Sequence, residues 1–253
     1  MGAFFVVLKG SARKAQKNKM NEILLLLSVA VFFYGIVLLA YRLFGKSGLF
    51  GATVICTILA NIEVLILVDA FGMEQTLGNV LFAATYLVTD ILSENESKKD
   101  ASRAVGIGVF ATATMLVITQ SWLLFTPSAN DWAMSSIRTL FSATPRIAVA
   151  SFIGYVVSQN FDVWLYHKWW DFSSKKFGDS QKMLWLRNNG STLISQLVNT
   201  IIFTTIGFAG FYNTKTLFSI MLSSYIIYVA TSLLDTPAVY LARRFKQKNK
   251  IPE

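Results

Sequence analysis

Seven stretches of this chain stay apolar for about as long as a helix needs to cross a bilayer: 23–41, 51–71, 76–92, 104–125, 146–166, 190–211 and 217–241. A hydrocarbon layer of about 30 Å takes roughly 20 helical residues at 1.5 Å each. A soluble core has no use for runs of that length. Of the 253 residues 54% are hydrophobic and 15% charged, where a soluble domain carries about 25% charged residues. The chain is therefore expected to be an all-α polytopic membrane protein. A basic arm at 1–22 and a basic tail at 242–253 flank a single transmembrane domain at 23–241, and no composition shift marks a second domain.

The net charge of +9 lies in the arm, the tail and the loops rather than in the apolar runs. That distribution suits anionic lipid headgroups better than nucleic acid, which is not an expected partner. Seven spans put the termini on opposite sides. Loops 42–50, 93–103 and 167–189 with the tail hold 15 Lys and Arg, against 7 for the arm with loops 72–75, 126–145 and 212–216. The count places the C-terminus inside and the N-terminus outside, although the arm alone argues the other way. The segment 126–145, between Pro127 and Pro145, reads as lying at the interface. Cys56 is the lone cysteine, so no intrachain disulfide forms. The apolar run at 4–8 is too short for a cleavable signal peptide.

Polar residues inside the spans carry the functional signal. On a helix Tyr86, Asp90 and Glu94 recur every fourth residue along one face. A charge near the bilayer centre costs about 2.5–3.5 kcal/mol on insertion scales. Asp90 is read as a site residue. Glu94, nearer the helix end, divides evenly between that role and contact with water. Ala150, Gly154, Ser158 and Asp162 form a small-residue ridge on the fifth span, with Gln159 beside it. Ser191, Ser195 and Asn199 form another on the sixth, next to Gln196. Small ridges let helix backbones approach closely. Packing explains the small residues but not Asp162 or the amides.

Other features say less. Asn61 and Glu63 point to different sides of their helix. Asp235, two residues before Pro237, reads as a boundary or kink residue. Arg146 and Arg187 sit at span edges where they can snorkel. Tyr86, Phe161 and Trp164 offer faces to a flat ligand, and His167 is given no role. No Walker A loop, HExxH pair, Cys/His cluster or dinucleotide fingerprint occurs. An enzyme is therefore not expected, nor a cofactor or metal. Carboxylates inside a helical bundle fit a transporter site.

The blocks Ala60-Asn61-Ile62, Tyr86 to Glu94, Ser158-Gln159-Asn160-Phe161-Asp162-Val163-Trp164, Arg187 to Thr192 and Ser195 to Thr200 fall in one order. In these the chain resembles the queuosine-precursor transporter family, also called VUT, over about 50–241. The resemblance implies uptake of 7-deazaguanine bases. It also implies a six-helix core similar to the substrate-binding subunits of vitamin transporters, with span one added before it. Asn199 stands where the family commonly has aspartate, and Glu96-Ser97 where a Tyr-Gly pair is usual.

The residue chemistry is compatible with this. A deazaguanine presents a ring N–H and an exocyclic amine side by side, which one carboxylate can accept. Its carbonyl needs an amide donor and its ring an aromatic face. Asn61, Tyr86, Asp90, Glu94, Gln159, Phe161, Asp162, Gln196 and Asn199 make up the expected substrate site. The expected partners are a purine-like small molecule and the lipid bilayer of the cell membrane; self-association stays open. Two alternatives stand beside uptake. One is the binding subunit of an ATP-driven vitamin transporter, which co-purification with an ATPase would reveal. The other is an intramembrane lipid enzyme, which turnover of lipid would reveal.

Overall fold

A computed structural model describes residues 2–142, 145–178, 183–248 and 250–252. Helix α1 (Gly2–Val29) runs through a π-helical stretch (Ala30–Val37) into α2 (Leu38–Glu63). A hairpin of β1 (Leu67–Ala70) and β2 (Met73–Thr76) follows. Then come α3 (Gly78–Asn95), α4 (Lys98–Trp122), α5 (Met134–Ser142), α6 (Pro145–Phe177), α7 (Leu184–Phe208) and α8 (Thr214–Gln247). Among the described residues four helical stretches are long and apolar enough to cross a membrane: Gln16–Glu63, Lys98–Trp122, Leu184–Phe208 and Thr214–Gln247. Each of the seven predicted spans falls largely on helix.

The first of these stretches doubles back. Gly45 adopts φ 59°, ψ −145°, a backbone that L side chains resist. A Cβ on Gly48 would overlap the Ala40 carbonyl. The turn predicted at 45–48 therefore lies where the chain reverses.

The second span is shorter than expected. Helix α2 ends at Glu63, and 67–76 is an antiparallel hairpin with Ala70 opposite Met73. Its two turn residues, Phe71 and Gly72, both have positive φ (53° and 73°), the combination a tight two-residue hairpin needs. The hairpin is held from α1: Asn21 Nδ2 donates to the Asp69 carbonyl at 2.9 Å, and the Phe71 N–H donates to Glu22 at 3.1 Å. The strictly all-helical expectation is thus corrected by one small hairpin. Between the two prolines α5 is a short helix with no buried residue, tied to the end of α4 by Gln120, which donates to the Phe141 carbonyl at 3.1 Å, and by Trp122, which packs edge-on against Phe141.

Helix α3 is the central element. All of it but Phe82, Glu94 and Asn95 is buried, as expected of a helix apolar nearly all round. Helices α2, α4, α6 and α8 pack around it. Helices α6 and α7 run antiparallel in close contact. A Cβ on Gly207 would meet Ala150 at 3.7 Å, one on Gly154 would lie 2.6 Å from Asn199 Oδ1, and one on Gly190 would lie 3.1 Å from Trp169 Nε1. The two small-residue ridges thus face each other.

Candidate functional site

Three layers of polar groups lie along α3. The first opens at the hairpin end, where α2, α3, α6, α7, α8 and the hairpin enclose a cavity of about 760 Å³. Asn61 and Asn199, both expected site residues, line it. Asn61 donates to the Thr57 carbonyl at 2.8 Å.

The second layer is closed. Tyr86, Asp90, Gln159, Asp162 and Gln196 are all wholly buried. The Tyr86 hydroxyl donates to Ser158 at 2.7 Å. Gln159 donates to Thr85 at 2.6 Å and accepts from Thr89 at 3.3 Å. The Thr192 hydroxyl donates to Asp90 Oδ2 at 3.1 Å. Asp162 faces Thr192, Ser191 and Ser195, yet neither of its oxygens has a hydrogen-bond partner. Each of those hydroxyls lies within hydrogen-bond distance of another acceptor: Thr192 of Asp90, Ser191 of the Asn188 carbonyl and Ser195 of the Ser191 carbonyl. Asp90 Oδ1 and both polar atoms of the Gln196 amide are also unpartnered. Buried polar atoms almost always find partners. A layer holding this many unmatched acceptors has the chemistry to accept further donors.

The third layer closes the far end. Glu94 takes two hydrogen bonds from Arg187, at 2.7 and 2.8 Å, and one from the Tyr166 hydroxyl at 2.8 Å. Arg243 lies 3.6 Å away. The Arg187 guanidinium sits 4.2 Å over the Trp170 ring. The side chains of Arg187 and Glu94 are 0% and 3% exposed. This corrects the expectation that Arg187 snorkels, and of the two readings of Glu94 it disfavours contact with water. They satisfy each other, because a bidentate pair with a further donor offsets the desolvation of both charges.

One expected residue stands apart. Phe161 is half-buried and stacks on Trp164, an exposed ring, with centroids 5.7 Å apart. It does not join the buried layer.

Asp235 was misread as a boundary residue. It is buried, it accepts from Asn188 at 2.9 Å, and its second oxygen is unpartnered. Asn189 joins α8 through Thr236 at 2.8 Å and Ser232 at 3.1 Å. The signal was present: Tyr228, Thr231, Ser232 and Asp235 form a polar stripe at helical spacing. Pro237 masked it, although α8 continues to Gln247. Among the described residues no three His, Cys, Asp or Glu side chains converge to hold a metal.

The family described as "Putative vitamin uptake transporter" matches residues 76–242. A relative from Bacillus subtilis (strain 168), called "Probable queuosine precursor transporter", is 37% identical over 215 residues, covering 85% of this chain and 92% of its own. No solved structure matches. A family match over well over half of the chain, with a relative of that identity and coverage, places the protein among transporters rather than enzymes. The chain belongs to the vitamin uptake transporter family.

Proposed function

We propose that the protein takes up 7-deazaguanine precursors of queuosine across the cell membrane. The base binds in the layer between Asp90 and Asp162. The observation that carries this reading is the set of unpartnered buried oxygens on those two carboxylates, meeting at Thr192 below an open cavity. A deazaguanine brings two adjacent N–H donors to one carboxylate and a carbonyl to an amide such as Gln196. An aminomethylated base brings a cation to the second carboxylate. Glu94 acts from the far end, bracing α3 against α6 and α7, and Asn61 and Asn199 act from the cavity wall.

In this reading 23–241 forms one transmembrane domain of seven spans. The core at about 50–241 is the six-helix unit of vitamin-binding subunits, and the tail at 242–253 is cytoplasmic. The test is a thermal-shift panel on purified protein with deazaguanines, guanine and vitamins. A ligand at a hundred times its Kd adds about 2.7 kcal/mol of stability. Stabilisation by deazaguanines alone is expected. Stabilisation by a vitamin and by no deazaguanine would overturn the assignment.

A further inference from the structure

The cavity has a character of its own. Among the described residues lining it none is charged; the wall consists of amides, hydroxyls, aromatic rings and aliphatic side chains. The carboxylates lie deeper, in the closed layer. One wall is organised around Phe82. Its ring is the half-buried member of an aromatic cluster whose other members are buried. Tyr86 and Tyr155 pack against it edge-on, with centroids at 5.5 and 6.0 Å, and Tyr228 lies at 6.1 Å. Those contacts fix the ring and leave surface open to the cavity.

Amides flank it. Asn79 is 7% exposed and its oxygen is taken by the Tyr228 hydroxyl at 3.1 Å. Its N–H donors have no partner among the described residues, so the side chain can only donate further. From the α7 wall Asn199, 6% exposed, brings a second uncommitted amide. The Thr204 hydroxyl lines the same wall, buried and unpartnered. The cavity therefore holds a fixed aromatic surface, a dedicated donor and an amide able to donate or accept.

Resting on the transporter reading above, we infer that the cavity is a separate entry site, which captures a neutral, flat heteroaromatic base on Phe82 and Asn79 before it reaches the carboxylates. A ring stacks on Phe82 while its carbonyl accepts from Asn79. A cation gains no partner there and loses water, so the entry site favours a neutral substituent over a charged one. Discrimination between related bases then begins before any carboxylate is met.

The two sites separate kinetically. A residue that only captures ligand on the way in changes association and dissociation by the same factor and leaves the final affinity unchanged, whereas a residue of the final site changes the affinity, mostly through dissociation. The experiment measures both rate constants for full-length protein in lipid nanodiscs, with the neutral nitrile-bearing deazaguanine and its cationic aminomethyl analogue as probes. Phe82→Leu keeps an apolar side chain but removes the ring. Asn79→Asp keeps the acceptor for Tyr228 but replaces the donor with a charge. Each should slow association of the nitrile roughly tenfold, the worth of one lost contact. Asn79→Asp should in addition reverse the order of the two probes. Asp90→Asn, by contrast, should mainly speed dissociation. Wild-type association rates in both cavity variants, with the nitrile still bound, would overturn the entry site and leave the transporter reading standing. If neither deazaguanine binds the wild type, the transporter reading falls and the entry site with it. Phe82→Leu carries the comparison alone should Asn79→Asp not fold.

Discussion

At the scale of single residues, unmatched oxygens set the expectations. Asp90 already accepts from Thr192 through Oδ2, while Oδ1 is unpartnered and, in the proposed site, accepts from the ligand. Asp90→Asn keeps the size but turns an acceptor into a donor, so one ligand N–H meets another. That mismatch costs a few kcal/mol, or roughly a hundredfold in affinity. Titration calorimetry on the folded variant checks it, and wild-type affinity would remove Asp90 from the site. Asp162→Asn should weaken the aminomethyl base more than the nitrile, because Asp162 is left to pair with a cation. Equal losses for the two would assign the cation elsewhere. Asn199→Asp would place a charge in an otherwise uncharged wall. The variant is expected to bind a deazaguanine at least as well as the wild type, with the preference shifted toward the aminomethyl base. Competition between the two probes measures that shift, and an unchanged ratio would show that Asn199 does not touch the ligand.

At the scale of elements, the antiparallel pair α6–α7 depends on Gly154. A Cβ there would stand 2.6 Å from Asn199 Oδ1 and 3.9 Å from the Asn199 carbonyl oxygen, so the larger side chain of Gly154→Leu displaces Asn199 and crowds α7. Overpacking costs typically 1–3 kcal/mol, and the variant should lose folded protein in detergent, read from its melting curve. Unchanged melting would show that α7 tolerates the larger side chain. Glu94→Gln removes the negative charge opposite Arg187, and breaking a buried pair costs about 3–5 kcal/mol. Adding Arg187→Met should recover part of the loss, and a double variant less stable than the single would contradict the pairing. These elements also mark how far the sequence could be read. Apolar runs located the helices, and the every-fourth-residue spacing of Ser158 and Asp162, and of Ser191 and Ser195, located the facing ridges. Such periodicity reports which face of a helix is buried, not what it meets. The pairing of Glu94 with Arg187 joins residues 93 apart in sequence, and nothing local encodes it. The hairpin was missed because its turn is Phe71-Gly72 rather than Asn-Gly and its first strand continues an apolar run. Asp235 was missed because a proline was taken to end a helix that runs through it.

At the scale of the whole molecule, the polar layers define a direction. The cavity lies at the end where the hairpin and the start of α8 meet, and the Glu94–Arg187 cluster lies at the end where α8 runs out into the basic tail. Lys246, near the end of α8, pairs with Glu96 at 2.9 Å, so the tail sits on the same side as the 93–103 loop. Both segments belong to the set with 15 of the basic residues, whereas Lys215 and Arg138 belong to the set with 7. Excess Lys and Arg mark the cytoplasmic side. The cavity should therefore open outward, which is the side from which an uptake system collects its ligand. Ser180, in the predicted 167–189 loop, lies outside the described residues, so labelling uses the tail and the α7–α8 turn. Cys56 is buried and can be replaced to give a cysteine-free background. Cysteines are then introduced singly at Gln247 and at Lys215. An impermeant maleimide added to intact cells should label the Lys215 position and spare the Gln247 position until the membrane is opened. The reverse pattern would place the cavity on the cytoplasmic side and turn the protein from a collector of external bases into one that opens first toward the cell interior.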